Sequence, residues 1–128
     1  MALAVALLVC LGLGFAWGGS GRTELQNALD NTRQQLDLAE ARGQILEARV
    51  SLYNNNFGDA SRHLEESKVP LQRIKGRYQD ARRNDAAAGI DAALGHVDEA
   101  QRLTGKLDQS ANSRAGEALD AIKLAAGK

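Results

Sequence analysis

Two histidines, each followed by a glutamate three residues later, come nearest to a metal-binding pattern in this sequence. The pairs are His63 with Glu66 and His96 with Glu99. Residues three apart share a helix face, so two such pairs on facing helices could hold a metal ion together. Di-iron bundles use the reverse order, Glu-x-x-His, with further carboxylates on other helices, and that order is missing here. Because both histidines stand beside the apolar heptad positions, we interpret them as surface ion-pairing residues and keep the metal site as a weak alternative.

Other chemical motifs are missing from the sequence. It has no Gly-rich phosphate loop, no cysteine cluster and no Gly-x-Ser-x-Gly motif. Its one cysteine, Cys10, excludes an intrachain disulfide. The 16 basic and 16 acidic side chains cancel, which gives no general attraction to nucleic acid or acidic lipid. We therefore predict a protein that is not an enzyme, carries no cofactor and does not bind nucleic acid.

The opening segment predicts a membrane-associated helix. Residues 2–19 form an uninterrupted apolar or glycine run, which as a helix would reach roughly 27 Å, enough for a thin bilayer. Trp17 suits the edge of a membrane, which favours a retained anchor. The alternative is a cleaved signal, because Ala16-Trp17-Gly18 fits a small-x-small cleavage site. We prefer the anchor.

Small residues recur every four positions along this segment, as they do in membrane helices that approach one another closely. This stripe consists of Ala2, Ala6, Cys10, Gly14 and Gly18. We predict a signal-anchor segment with a flexible Gly/Ser link over residues 1–21, followed by an extracytoplasmic helical domain over residues 22–128. The predicted location is the cell membrane, with a single span. A secreted or periplasmic protein is the alternative if the segment is cleaved.

The remainder of the chain reads as helix throughout. Capping residues and apolar periodicity predict helices over about 23–54, 59–83, 86–107 and 114–126. Short loops between long helices favour antiparallel neighbours, so the expected fold class is all-α, an antiparallel helical hairpin or bundle. Pro70 falls inside the second of these helices, which is either one kinked helix or two short ones. The unbroken apolar rhythm favours one kinked helix.

The first long helix carries a heptad pattern in which steps of four and three residues alternate. Similar rhythms run from Ala60 to Ala81, from Ala86 to Leu107 and from Ala115 to Ala126. From the first helix we select Leu29, Leu36, Leu46 and Val50 as interaction residues, for self-association or a protein partner. The whole pattern comprises Leu25, Leu29, Thr32, Leu36, Ala39, Gly43, Leu46, Val50 and Tyr53.

An internal similarity adds a second interpretation of the fold. The segment "FGDASRHLEES", from Phe57, aligns with "IDAALGHVDEA", from Ile90, at an offset of 33 residues. Around the first turn, Ala48, Phe57 and Ala60 stand at the spacing of the small, aromatic and Ala positions of a tetratricopeptide repeat, which this stretch of about 34 residues resembles. The resemblance implies a short solenoid of helix pairs that binds peptides or proteins.

A basic run lies between two mildly acidic regions of the chain. It consists of Arg73, Lys75, Arg77, Arg82 and Arg83. We prefer the interpretation that these residues complement acidic side chains within the molecule. The alternative is a docking patch for an acidic partner or lipid head groups, in which Arg73 and Arg77 would take part.

The sequence thus predicts a non-enzymatic, membrane-anchored scaffold or interaction protein of the cell envelope. Its helix faces would bind another protein or a second copy of the chain. The alternative is an extracytoplasmic helical bundle that senses a ligand or a metal ion.

Overall fold

The computed structural model describes the backbone of residues 2–127 and the side chains of residues 21–127. Within them lie four α-helices, α1 (Ala2–Tyr53), α2 (Phe57–Asp80), α3 (Asn84–Thr104) and α4 (Ala111–Ala126). No strand occurs in this part of the chain. The predicted all-α fold is confirmed, and apart from the start of α1 the helix ends lie close to the predicted ones.

The chain divides into two compact units, Met1–Arg33 and Gln34–Lys128. In the first unit the described side chains, residues 21–33, are all exposed, and Arg33 lies 3.6 Å from Asp30 in an exposed ion pair. Helix α1 continues through residues 18–21, and the flexible link stays a prediction. Glycine and serine lower helix propensity by at most about 1 kcal/mol each, which does not prevent a helix.

Of the helices whose side chains are described, none is long and apolar enough to cross a membrane. The anchor or signal predicted for residues 2–19 falls outside those side chains. Its small-residue positions, Ala6, Cys10, Gly14 and Gly18, fall outside them as well, and the membrane assignment stays a prediction.

The second unit is an antiparallel helical bundle. At the interface of α1 with α2, Gln34 donates a hydrogen bond to Tyr78 (3.4 Å), whereas Gln44 lies 2.7 Å from His63, so residue numbers rise on one helix as they fall on the other. The other three interfaces are also antiparallel. Helices α2 and α3 meet at Lys68–Asp98 and Lys75–Asp91, and α3 and α4 meet at Gly89–Ala125 and His96–Glu117. The third interface is shown by Arg49–Asn112 and Leu52–Gln109. The last two pairs join α1 to α4 and its preceding loop.

Aliphatic side chains and alanines build the core of the bundle. The predicted rhythms of α2 and α3 are confirmed except at Ala81 and Leu107, which are exposed because each lies just beyond the end of its helix. In α4 the predicted Ala115 and Ile122 are buried. The larger core residues of these helices are Leu64, Leu71, Ile74, Tyr78, Ile90, Val97 and Ile122. Alanines fill many remaining positions, which lets the helices approach closely but buries little apolar area.

The face of α1 that enters this core is not the predicted one. The heptad pattern from Leu25 to Tyr53 is exposed at every position. A second pattern with the same period, displaced by two residues, is buried instead. Periodicity alone cannot distinguish these two stripes, since both satisfy the spacing of an amphipathic helix. The buried residues are Leu38, Ala41, Ile45, Ala48 and Leu52.

Helix α2 is one continuous helix with Pro70 inside it. Of the two alternatives, a single helix is therefore the one observed. Proline removes one backbone donor from the helix, which leaves the carbonyl of Glu66 without its usual partner. The proline ring is buried in the core, and this apolar burial opposes the cost of the lost hydrogen bond.

The first three helices end in the same way. Two or three residues beyond the end of each of these helices, the backbone is left-handed: at Asn55 (φ 59°), Arg82 (φ 57°) and Leu107 (φ 57°). At Leu107 the next amide, of Asp108, donates to the carbonyl of Leu103 at 3.1 Å, and the amide of Leu107 donates to Thr104 at 3.0 Å. This pair of bonds is a Schellman motif, in which glycine is the usual left-handed residue.

The positions that resemble a tetratricopeptide repeat lie around the turn between α1 and α2. Ala48 and Ala60 are fully buried, and Phe57 packs half-buried against Leu52 and Ala60. Their small and aromatic character is thus explained by packing at this turn. Membership of that repeat family stays a prediction.

Candidate interaction surface

The most unusual surface of the second unit is an apolar stripe along α1, which we call the exposed seam. It covers more than two heptads, and its large side chains stand well out of the bundle: Leu36 is 64% exposed, Leu46 50%, Val50 56% and Tyr53 82%. Residues of this size and polarity are normally covered when they recur on one helix face. The exposed seam consists of Leu36, Ala39, Gly43, Leu46, Val50 and Tyr53.

The exposed seam and the buried stripe lie on nearly opposite faces of α1. Successive helical residues are about 100° apart, so a displacement of two residues, from Leu36 to Leu38, turns the side chain by about 200°. Leu38 is 2% exposed and belongs to the core. The bundle therefore occupies one side of α1, and the exposed seam faces away from it.

Charged side chains flank the exposed seam on both sides. With Leu36, Gly43 and Val50 at heptad position a, Arg42 occupies position g and Glu47 position e. Neither side chain forms a hydrogen bond or an ion pair in the described part of the chain. They are five residues apart, a spacing that does not bring them together on one helix. Each is available to a charge on another molecule.

A shallow depression of about 330 Å³ adjoins the last turns of the exposed seam. Two of its lining residues are joined by a hydrogen bond from Arg49 Nε to Asn112 Oδ1 of α4, at 2.7 Å. The lining is mainly apolar, which suits an aliphatic or aromatic side chain of a partner. The lining residues are Leu46, Arg49, Val50, Tyr53 and Asn112.

The first unit contains earlier positions of the same heptad pattern. There Leu25 is 63% exposed and Leu29 48% exposed. Leu29, predicted as an interaction residue, is thus uncovered within its own unit, as Leu36, Leu46 and Val50 are within theirs.

The predicted basic residues Arg73 and Arg77 are paired inside the bundle. Both bind Asp37 of α1, a carboxylate that is only 7% exposed. Arg73 donates to it from Nε at 3.0 Å and also binds Glu40 at 2.9 Å. The hydrogen bond to Asp37, with help from both carboxylates, raises the pKa of Arg73. These contacts fit the preferred interpretation, complementarity within the molecule.

Other members of the basic run are also partly engaged. Lys75 pairs with Asp91 of α3. The guanidinium of Arg83 lies 4.5 Å from the centre of the Tyr78 ring, a cation–π contact. Arg82 occupies the left-handed turn position and is exposed. Docking of an acidic partner on Arg73 and Arg77 stays a prediction.

The two histidines lie in separate contacts between helices. His63 Nδ1 lies 2.7 Å from Gln44 of α1 and 3.7 Å from Glu66. His96 Nδ1 instead lies 3.1 Å from Glu117 of α4. Each histidine therefore joins its own helix to a different neighbour.

Glu99, the predicted companion of His96, binds Arg102 instead, at 2.5 Å. The hydrogen bond from Arg102 lowers the pKa of Glu99. Among the residues that the structure describes, no cluster of three or more His, Cys, Asp and Glu side chains could hold a metal ion.

A charge cluster at the α2–α3 interface centres on Lys68. Its ammonium lies 2.8 Å from Asp98, 2.9 Å from Glu65 and 2.5 Å from the amide oxygen of Gln101. Burial opposes the charge of Lys68, but the hydrogen bonds to Asp98 and Glu65 outweigh it and raise its pKa. The hydrogen bond from Lys68 in turn lowers the pKa of Glu65. This cluster fixes the register of α2 against α3.

Sequence reasoning missed the flanking pair Arg42 and Glu47 and the buried carboxylate of Asp37. Assigning heptad letters to the exposed seam would have revealed the first two, because positions e and g follow directly from the pattern. No comparable signal identifies Asp37, whose burial depends on two arginines more than 30 residues away in the chain.

Comparison with family models, with curated proteins and with solved structures found no match to this chain. Within the described residues, the large exposed apolar side chains concentrate on α1, whereas Val69, Leu107 and Leu124 lie singly elsewhere. Exposed apolar patches of this kind mark sites of contact with other proteins. The exposed seam is therefore the candidate functional site.

Proposed function

We propose that this chain is a non-enzymatic interaction protein of the cell envelope. A helical bundle presents the exposed seam of α1 to a protein partner, and residues 2–19 hold the bundle at the outer side of a membrane. The mechanism is positional, because the protein keeps its partner close to the membrane through helix-face packing.

The observation that carries this proposal is the two-sided character of α1. One stripe, including Leu38 and Ile45, satisfies the core of the bundle. The opposite stripe has no function in that core, yet it keeps leucine, valine and tyrosine at heptad spacing. Surface positions without a partner gain nothing from such residues, which cost solubility. A protein surface that covers Leu36, Leu46 and Val50 gives them a role.

The remaining polar features support a structural role for the bundle. The ion pairs of Asp37 with two arginines and of Lys68 with Asp98 join neighbouring helices. The histidines are likewise engaged between helices. These side chains make the bundle a defined scaffold, and they need no substrate to account for them.

The membrane part of the proposal rests on the apolar run of residues 2–19. Its test is the intact mass of the protein recovered from membranes after an alkaline wash. A full-length mass in the washed membranes supports the anchor. A shorter chain beginning near Gly19 and found in the soluble fraction contradicts it, and assigns the bundle to the secreted or periplasmic alternative.

The interaction part is tested by incorporating a photo-crosslinking amino acid at Leu46 in the full chain, in cells. We expect a defined covalent adduct at this position. Val69 of α2 is the matched control, because it is 54% exposed but lies outside the exposed seam. A second substitution, Leu36→Asp, should abolish the adduct at position 46. If position 46 gives no more adduct than position 69, the exposed seam is not a binding face.

A further inference from the structure

We propose that the partner of the exposed seam is a second copy of this chain, docked parallel and in register. Arg42 of each copy then pairs with Glu47 of the other. The proposal rests on the proposed function, because it names the occupant of the same surface. It is carried by the charges that flank the seam.

The charge pattern of α1 in the second unit is complementary to itself in the parallel orientation. In a parallel two-stranded coiled coil, a residue at position g faces the residue at position e of the next heptad on the other helix, five positions later. Position g at Arg42 thus meets position e at Glu47 of the second copy. The twofold symmetry of a dimer repeats this contact, so both unpaired charges of each copy are satisfied.

The antiparallel orientation is disfavoured by the same residues. It brings g positions opposite g positions and e positions opposite e positions. In the second unit the charged g residues are Arg42 and Arg49, whereas the e residues Glu40 and Glu47 are acidic. Every charged contact would therefore join like charges, which is destabilising.

The surroundings of Arg42 and Glu47 explain why these two residues are the ones to pair between copies. Glu40 already binds Arg73, and Arg49 already binds Asn112. Arg42 and Glu47 are left without a partner in the described part of the chain. The core of the bundle lies on the opposite side of α1, and Asn112 of α4 borders only the last turns of the exposed seam.

The centre of the exposed seam contains small residues, Ala39 and Gly43. A Cβ atom added at Gly43 would meet nothing within 4 Å in the single chain. Small side chains let two helices approach closely but bury little apolar area. The structure therefore assigns a weak, concentration-dependent dimer rather than a permanent one.

Disulfide trapping tests the parallel register directly. Leu46 is at position d, and the two d residues of one layer face each other in a parallel dimer. In a full-length Cys10→Ser chain, Leu46→Cys should form a covalent dimer under mild oxidation. Val69→Cys in the same background, with similar exposure on α2, should not. Equal yields from the two variants would overturn the proposal.

Charge reversal tests the pairing of Arg42 with Glu47. Arg42→Glu or Glu47→Arg alone should lower dimer formation by at least about 5-fold, measured by sedimentation in detergent, since each turns two attractive contacts into repulsive ones. The double variant should restore it. Failure of the double variant to recover would contradict this pairing, provided that its far-UV circular dichroism spectrum matches that of the unmodified chain.

These results are separable from the proposed function as a whole. If the photo-crosslinked adduct at position 46 contains a different protein while Leu46→Cys yields no dimer, the second copy is the wrong occupant and the binding face stands. If neither experiment gives a product, both proposals fail.

Discussion

Leu36 and Leu38 are two residues apart on α1, yet the first is 64% exposed and the second 2% exposed. This contrast separates the two roles of the helix. The stripe that includes Leu38 holds the bundle together, and the stripe that includes Leu36 is left for another molecule.

Truncation of these two leucines should therefore have different effects on stability. Leu38→Ala removes buried methyl groups and leaves a cavity, so we expect a loss of about 2–4 kcal/mol in the free energy of unfolding. Leu36→Ala should change it by less than about 0.5 kcal/mol in dilute protein, because the side chain contacts solvent. Urea unfolding followed by circular dichroism measures both. A comparable loss for the two variants would mean that the exposed seam also contributes to the core.

Helices α3 and α4 pack closely at Gly89. A Cβ atom added there would lie 2.8 Å from Cβ of Ala125 and 3.4 Å from its Cα. Gly89→Ala should therefore destabilise the bundle by about 1–2 kcal/mol, although alanine is the better helix former. Gly95→Ala on the same helix meets nothing within 4 Å and should instead raise stability by up to about 1 kcal/mol. Thermal unfolding of the two variants should shift in opposite directions, and a gain at Gly89 would contradict this close packing.

The left-handed residue after α3 offers a stabilising change. Leu107 has φ 57° and is 69% exposed, so its side chain strains the backbone and packs against little. Leu107→Gly should relieve that strain and raise stability by about 0.5–1 kcal/mol.

Leu124 is the matched control for Leu107, since it is equally exposed but lies within α4. There Leu124→Gly should lower stability by about 0.5–1 kcal/mol. If the two substitutions change the free energy of unfolding in urea in opposite directions, the assigned backbone conformations are supported. The same sign for both variants would count against them.

The acid side of the stability profile should depend on Glu65 and Glu99. Hydrogen bonds from Lys68 and Arg102 hold the pKa of these carboxyl groups below the ordinary value of 4.5. A group whose folded pKa is lowered stabilises the fold at pH above its unfolded pKa, and this contribution is lost as pH falls through the folded pKa. The free energy of unfolding should therefore be steady from pH 7 to about 5 and fall below about 4.5.

Glu65→Gln should make that fall shallower, because the variant has one carboxylate fewer to protonate at the Lys68 cluster. Asp120→Asn is the control, since the exposed carboxylate of Asp120 on α4 has no partner in the described chain and lies outside the exposed seam. If the free energy of unfolding of Glu65→Gln falls with pH as steeply as that of the unmodified protein, the ion pair of Glu65 with Lys68 does not contribute to the acid-dependent stability.

Much of the bundle could be predicted from the sequence because its helices carry clear local signals. In α2 and α3, one apolar stripe dominates each helix, so the period identifies the buried face, from Leu64 to Tyr78 and from Ala86 to Thr104. Two of the breaks, residues 54–56 and 105–110, contain the Asn, Gly or Asp that favour turns, whereas residues 81–83 between α2 and α3 are Ala-Arg-Arg.

Helix α1 could not be predicted in the same way, since it carries two stripes of equal period. The choice between Leu36 and Leu38 depends on which face meets the other helices, and that is a long-range property. The partners of Asp37 and His96 depend on the same tertiary arrangement. Contacts between segments that are far apart in the chain produce no local sequence pattern, so they could not be predicted from this sequence.

The most direct test of the exposed seam is the mass of the full chain in detergent solution, followed by sedimentation equilibrium over a range of concentrations. We expect a monomer–dimer equilibrium that Leu36→Asp abolishes and that Leu124→Asp, at a similarly exposed helical position outside the seam, leaves intact. A chain that stays monomeric at every concentration, or a dimer that survives Leu36→Asp, would contradict self-association through this face of α1.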